Sequence, residues 1–314
     1  MHIAIVGMGR VGQTLAFQLL HENFFEELSL VDAQNGSGRA SGAAIDLEHA
    51  AGSLKCNACI HSLDSVDDLS TAEVIIVTAG KPAEANQGRR HLVSSNSIVI
   101  SNLARKLGKS NPDAKYIIVT NPVDAMSTLF QKESGASSVI SSGCHIDSLR
   151  LRSELAKFLG LDIGSIEAFV GGEHGVDSVF LWSTARVHGI SLSEYLKNET
   201  KEQDMKHELE RLVRERPEDI IRTLGGVVYG PACAVADIAR VVSTKQKVFI
   251  SIGLPFRSPK LEESVHVSRP VSFTNGDFIT KKLTEEEDDK IERAAMAVLD
   301  IYRSAESFAH VTTI

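Results

Sequence analysis

No apolar run in this 314-residue chain approaches the roughly 20 residues that a membrane-spanning helix requires. Positive charge is not in excess either. Lys and Arg number 33 against 41 Asp and Glu, a net charge of −8, so no global field favours nucleic acid or an anionic membrane. Cysteines are few, four in all, and only Cys56 and Cys59 have C-x-x-C spacing. A structural zinc site needs four ligands, and no second pair exists. Residues 55–61 also read as a short strand, on which positions three apart point to opposite faces. No bound metal is expected, and the thiols are read as reduced. The N-terminus runs straight into the apolar stretch MHIAIV with no basic leader or cleavage site. A cytoplasmic location is therefore the expectation, and the sequon Asn198-Glu199-Thr200 is read as chance. There is no internal repeat, low-complexity segment or linker.

What the chain does have is a regular alternation of strand-length apolar runs and helical patterns. Strands are predicted at His2–Val6 and at residues 28–31, 56–60, 74–77, 116–119 and 139–142. Helices are predicted at residues 10–21, 38–50, 92–107 and 123–133, the first with Val11, Leu15 and Leu19 on one face. Such alternation implies an α/β fold with a doubly wound parallel sheet and helices on both faces. After about residue 145 the texture changes. Strand-like residues 166–170 and 179–182 precede a long charged helix near 201–224 and a helix with Pro231 near its first position. Residues 247–252 and 265–273 read as antiparallel strands, and Asn275-Gly276 as a turn. Thr284 and Glu287 form a capping-box pattern for the last helix. The expected organisation is a Rossmann domain over residues 1–143 followed by an α+β substrate-binding domain over 144–314.

Gly7-Met8-Gly9-Arg10-Val11-Gly12 is a G-x-G-x-x-G between a predicted strand and a predicted helix. Its first glycine suits a tight turn, its second a close approach of backbone to a pyrophosphate, and its third close packing of helix on strand. The helix start then offers unpaired N–H groups to phosphates. Asp32 ends the second strand at the place where an acid accepts hydrogen bonds from an adenine ribose. A carboxylate there repels a 2′-phosphate, so NAD is favoured over NADP. Arg39 is too far along the chain to be read as reversing that preference.

Two further stretches carry chemistry. In Val170-Gly171-Gly172-Glu173-His174-Gly175 a histidine sits among glycines after a predicted strand, a poor setting for a packed core residue. Most of the other histidines, such as His21 and His207, fall in predicted helices as solvated residues. In Ile146-Asp147-Ser148-Leu149-Arg150-Leu151-Arg152, Asp147 and Arg150 share one helix face three residues apart. Taken alone, that pair reads as an exposed ion pair.

Together, GMGRVG, DLEHA, TAG with an arginine nine residues later, TNPVD, HIDSLRLR and GGEHG stand in the order in which the L-lactate/L-malate dehydrogenase family has them. The chain resembles that family along nearly its whole length. The resemblance implies NAD as cofactor, a small 2-oxo or 2-hydroxy acid as substrate, and a homodimer or homotetramer. It implies that His174 is the acid/base for the substrate hydroxyl. Asp147 would then fix the tautomer of His174 and raise its pKa. Arg150 would clamp the substrate carboxylate with a fork that lysine lacks, Asn121 would bond the reacting oxygen and nearby cofactor, and Arg89 would close over the substrate from its loop. Thr78, Gly80 and Asn96 would join Gly7, Gly9, Gly12, Asp32 and Asn121 around the cofactor. Arg90 has no counterpart and is read as solvated or as a secondary electrostatic contributor.

Two positions depart from the family pattern. The third residue after TAG is usually arginine in malate dehydrogenases and glutamine in lactate dehydrogenases; here it is Ala83, followed by Glu84. Alanine cannot pair with a second carboxylate, and leaving one desolvated and unpaired is costly. Val227 stands where a threonine or small residue is common. Yet YGPACAVADIARVV is closer to the malate branch, and Lys81, Arg90 or a subunit-interface residue is a candidate for the missing cation. Malate or lactate is the expected substrate, and a bulkier apolar 2-hydroxy acid, as in hydroxyisocaproate dehydrogenases, is the competitor. A short-chain reductase is disfavoured, because none of Tyr116, Tyr195, Tyr229 or Tyr302 has lysine four residues on. A non-catalytic NAD-binding module is disfavoured by the presence of His174, Asp147 and Arg150.

Overall fold

The structure is a computed structural model that describes residues 1–32, 38–81, 89–274 and 277–311. In the first half, strands β1 (His2–Val6), β2 (Glu27–Val31), β3 (Cys59–Leu63), β4 (Val74–Val77), β5 (Lys115–Ile118) and β6 (Val139–Ser141) alternate with helices. These are α1 (Arg10–Glu22), α2 (Arg39–Leu54), α3 (Arg89–Ser110) and α4 (Val123–Ser134). The strands pair in parallel in the order β3-β2-β1-β4-β5-β6, the doubly wound Rossmann order. A parallel strand is buried on both faces, which is why these read as unbroken apolar runs. In β1, Ile3 and Ile5 join a core with Leu15 and Leu19 of α1, while Ala4 and Val6 join the opposite core with Ile100 and Leu103 of α3.

The second half comprises α5 (His145–Leu159), β7 (Ile166–Glu167), β8 (Val170–Gly172), β9 (Ser178–Phe180), β10 (Arg186–Val187), β11 (Ile190–Ser191), α6 (Leu192–Leu196), α7 (Glu199–Leu224) and α8 (Tyr229–Thr244). Then come β12 (Phe249–Phe256), β13 (Val265–Thr274), β14 (Asp277–Thr280) and α9 (Glu285–Val311). Strands β12, β13, β8 and β9 continue the large sheet beyond β6 with antiparallel pairing. Helices α8 and α9 turn back onto the first half. Ala232, Val235 and Ile238 of α8 share the core of Ile3 and Ile5, and Val298 and Tyr302 of α9 share that of Ala4 and Val6. The two halves are therefore joined by common cores. A third core lies between α5 and α7, around Leu151, Leu155, Met205 and Leu209.

Several predicted bounds shift, each for a local reason. The third strand is Cys59–Leu63 rather than residues 56–60, because α2 continues to Leu54 and Lys55 ends it in a left-handed conformation. Buried Cys56 thus precedes the strand and exposed Cys59 opens it. The single strand predicted at residues 166–170 is two. β7 pairs with β10 at the edge of a small three-stranded sheet, and β8 crosses into the large one. Strand β12 runs to Phe256, well past the predicted end at residue 252. His21 and His207 are exposed as predicted, whereas His2, His145 and His266 are buried. The capping box forms, with Glu287 N–H donating to Thr284 Oγ1 and Thr284 N–H to Glu287 Oε2, both at 3.2 Å. The predicted turn at Asn275-Gly276 lies outside the described residues. Among the described residues, no helix is long and apolar enough to cross a membrane.

Candidate active site

Because β1, β2, β4, β5 and β6 are parallel, the segments that leave their carboxyl ends gather along one edge of the sheet. The glycine turn follows β1, and its three glycines do different things. A Cβ on Gly7, whose φ is +112°, would stand 2.5 Å from the Ala79 nitrogen, and one on Gly12 would stand 2.0 Å from the Gly7 carbonyl oxygen. Both are closed to any side chain. A Cβ on Gly9 would meet no protein atom within 4 Å. The turn is thus packed tightly at its two ends and faces open space at its middle, where α1 begins. Asp32 follows β2, is buried, and accepts a hydrogen bond from the Arg39 N–H at 3.2 Å. This cradle fits a dinucleotide, with backbone exposed where a pyrophosphate would lie and a carboxylate at the ribose position.

Thr78 and Gly80 follow β4. Thr78 Oγ1 donates to the Gly7 carbonyl at 2.6 Å, which locks the glycine turn to the next strand. A Cβ on Gly80 would press on Thr120 and Asn96. Asn96, on α3, is fully buried. Its Oδ1 accepts from Lys81 N–H at 2.7 Å, and its Nδ2 donates to Lys81 and Asn121 carbonyls at 3.2 and 2.8 Å. These three bonds tie α3 to the loops after β4 and β5. Asn121 follows β5 and is exposed. Ala83 and Glu84 lie outside the described residues, as do the side chains of Arg89 and Arg90.

The second half brings a buried cluster of titratable side chains. His174 stands in the turn between β8 and β9, flanked by Gly172 and Gly175 at φ +81° and +155°. Its ring Nδ1 lies 2.7 Å from Asp147 Oδ2, and Asp147 Oδ1 accepts from Arg150 Nη1 at 2.8 Å. Asp147 and Arg150 rise from the first turns of α5, which follows β6. Their side chains are 10% and 17% exposed, and that of His174 is 23% exposed. The pair that the sequence alone reads as an exposed ion pair is largely buried, with the histidine as its third member. A carboxylate only accepts, so Nδ1 carries the ring proton toward Asp147 and Nε2 is left to exchange a proton elsewhere. Burial works against the imidazolium, but the Asp147 carboxylate outweighs it, and the His174 pKa is raised above its ordinary value. Burial likewise pushes the Asp147 carboxyl up, and the facing His174 and Arg150 bring it below its usual value.

One site residue carries no assigned role in the sequence reading. Asp124, the last residue of TNPVD, is buried, with Oδ2 accepting from the His174 N–H at 2.8 Å and Oδ1 from Ser141 Oγ at 2.6 Å. Burial pushes its pKa up to about 6. An acid in the first turn of an amphipathic helix was the available signal, but first-turn acids are common there for electrostatic reasons alone. Among the described residues, no group of three or more His, Cys, Asp or Glu side chains is placed to hold a metal ion.

Residues 1–139 match the family model of the lactate/malate dehydrogenase NAD binding domain, and residues 144–309 match that of the alpha/beta C-terminal domain. The chain belongs to the lactate/malate dehydrogenase family. It is 34% identical to a malate dehydrogenase of Sulfolobus acidocaldarius, covering 96% of each chain. It is 29% identical to an L-lactate dehydrogenase of Mycoplasma mobile, covering 93% of each. The crystal structure of Cryptosporidium parvum malate dehydrogenase superposes with a TM-score of 0.89 at 25% identity, covering 98% of this chain and 99% of that one. As a member of the lactate/malate dehydrogenase family it is an oxidoreductase acting on a CH–OH group, with NAD as its cofactor. The glycine cradle described above is where this family's NAD binding domain model falls on the chain.

Proposed function

We propose that this protein is an NAD-dependent L-2-hydroxy acid dehydrogenase with His174 as its acid/base, malate or lactate as its substrate, and a cytoplasmic homodimer or homotetramer as its working form. The buried His174–Asp147–Arg150 cluster at the sheet edge that also carries the glycine cradle is the observation behind this reading. Gly7, Gly9, Gly12 and Asp32 hold the dinucleotide, with Thr78, Gly80, Asn96 and Asn121 shaping the loops beside it. Bound NAD supplies the acceptor for the two electrons that leave the substrate carbon. His174 Nε2 takes the hydroxyl proton during oxidation and returns it during reduction, while Asp147 holds the ring and favours its charged form. The Arg150 guanidinium has one nitrogen on Asp147 and others free to form the paired hydrogen bonds that a carboxylate accepts. Asn121 donates to the reacting oxygen, and Arg89 completes the site from the start of α3.

A bulkier apolar 2-hydroxy acid is the second reading, favoured by Val227. A Cβ on Gly230 would stand 2.9 Å from Ile146 Cδ1, so the start of α8 lies against the start of α5 that bears Asp147 and Arg150. Val227, partly buried, precedes that contact in the chain. The deciding experiment follows loss of NADH with pyruvate, oxaloacetate and 2-oxoisocaproate in parallel. A kcat/KM tenfold in favour of oxaloacetate, about 1.4 kcal/mol, supports malate and means that a cation other than residue 83 meets the second carboxylate. Preference for pyruvate supports lactate, and preference for 2-oxoisocaproate supports the second reading. Turnover of none of the three removes the proposal.

A further inference from the structure

The backbone that carries His174 is a short turn closed locally by the Asp177 N–H donating to Glu173 Oε2 at 3.0 Å. Strands β8 and β9 are three residues each, and the turn between them has glycines in conformations that side chains rarely adopt. Yet the ring must meet Asp147 and the substrate within a fraction of an ångström. What fixes that turn from outside is a carboxylate of the nucleotide-binding half. Asp124 Oδ2 accepts the His174 backbone N–H at 2.8 Å, and Oδ1 accepts the Ser141 hydroxyl at 2.6 Å.

We propose that Asp124 is a positioning residue for His174, a buried carboxylate that sets the backbone of the acid/base from the segment that also carries Asn121. This rests on the reading of His174 as the acid/base. Each oxygen faces a hydrogen-bonding partner, Oδ2 the His174 backbone N–H and Oδ1 the Ser141 hydroxyl. Asp124 and Ser141 are both buried, so the pair lies away from bulk solvent. On the other side, Gly253 of β12 lets backbone close over the pair. A Cβ there would stand 2.9 Å from Asp124 Oδ1 and 2.6 Å from Ser141 Cβ. The carboxylate is thus held in one orientation by β6, β12 and the β8–β9 turn together. Burying a charge is costly unless it is paired or well bonded. Its position at the amino end of α4 and its two strong donors offset that cost.

The charge also acts on the imidazole. Asp124 is one of the groups that favour the charged form of His174, beside the larger influence of Asp147. The titratable groups facing Asp124 are His174 and Glu173 from the β8–β9 turn and the Cys144 thiol before α5. In Asp124→Asn the amide oxygen still accepts from His174 N–H, and the amide nitrogen donates to the Ser141 hydroxyl after that hydroxyl rotates. Geometry is kept and the charge is lost. Asp124→Ala loses both, and Ser141→Ala removes only the second donor.

The three variants are compared with wild type by kcat and KM across pH, by NADH binding, and by NMR titration of the His174 imidazole. Asp124→Ala is expected to lower kcat by about 10²-fold, the cost typical of an ångström's misplacement, with NADH affinity unchanged. Asp124→Asn is expected to recover most of that loss while its pH profile and the His174 titration both move to lower pH. Ser141→Ala should show a smaller fall in kcat. Wild-type kcat in Asp124→Ala, or an unmoved His174 titration in Asp124→Asn, overturns the proposal. Should Asp124→Ala fail to fold, the near-isosteric Asn and the Ser141 variant decide. The NMR titration needs no turnover. A wild-type protein inactive on every 2-oxo acid would therefore sink the functional reading, while the titration judges the hold of Asp124 on His174 by itself.

Discussion

Asp147→Asn exchanges one carboxylate oxygen for an amide nitrogen at the centre of the site. The amide oxygen can still accept from His174 Nδ1, so the ring keeps the orientation given by the 2.7 Å bond. Two things change. The imidazolium loses a charged partner in a largely buried setting, and Arg150 Nη1, now 2.8 Å from where a carboxylate oxygen stood, faces a competing donor. A hydrogen bond to a charged partner contributes about 1.5–3 kcal/mol, which corresponds to roughly tenfold to a hundredfold in rate. The direction of the loss depends on pH. In the wild type the His174 pKa is raised. Reduction of a 2-oxo acid needs the protonated ring, so its rate is full below that pKa and falls as pH rises through it. Oxidation needs the neutral ring, so its rate is full above that pKa and falls as pH drops through it.

In the variant both inflections should move to lower pH. At a fixed pH the equilibrium constant ties the two directions together, so both should lose roughly tenfold to hundredfold in kcat/KM at neutral pH, and the loss should shrink toward low pH, where the variant's ring is protonated again. The assay is kcat/KM for the preferred substrate pair in both directions across pH, with NADH binding measured separately by fluorescence and expected to be unchanged. If both inflections stay where they are in wild type, Asp147 does not set the proton affinity of His174. If the loss is the same at every pH, the effect is one of geometry, and the electrostatic argument is refuted.

Arg150→Lys should raise KM for the 2-oxo acid by about tenfold with a smaller change in kcat, because a single ammonium cannot serve Asp147 and grip a carboxylate with two parallel bonds; steady-state kinetics at fixed NADH checks this. Gly12→Ala and Gly9→Ala should separate fold from binding. The first places a Cβ 2.0 Å from the Gly7 carbonyl oxygen and should weaken NADH binding at least tenfold, about 1.4 kcal/mol, with a lowered Tm. The second meets no protein atom and should leave Tm unchanged while still weakening NADH binding, as calorimetric titration would record.

The parallel half of the fold was legible because its strands are short, mostly apolar runs and its helices are apolar at every third or fourth position, so two periods alternate in plain view. The glycine turn was legible for a similar reason. Gly7 and Gly12 are required by contacts with the adjacent strand, and their spacing is a local property of the chain. What the sequence hid is what depends on distant packing. Residues 166–170 look like one strand, and only the meeting with β13 at Ser268 and with β10 at Arg186 divides them between two sheets. Asp147 and Arg150 look like a surface pair because three-residue spacing carries no information about what covers the helix. His145 looks like any helical histidine, yet it is buried against α8 with Asp237 Oδ2 at 3.6 Å. Asp124 was hidden twice, since its partners Ser141 and His174 lie 17 and 50 residues away.

The same packing explains why one sheet carries both binding and chemistry. The cofactor cradle hangs from β1 and β2 and the loops from β4 and β5, while Asp147 and Arg150 follow β6. His174 alone comes from beyond the parallel part, on a hairpin that reaches the sheet through β13. A flexible joint between halves would leave the distance from His174 to the cofactor edge poorly fixed. Instead β12 continues the sheet from β6, α8 and α9 bury apolar side chains into the cores on its two faces, and Asp124 bonds the hairpin directly. Interiors packed at this density shift little, because any displacement opens voids or forces side chains off their preferred rotamers. The histidine is therefore held against the nucleotide half by the chain, by apolar packing and by a hydrogen bond at once.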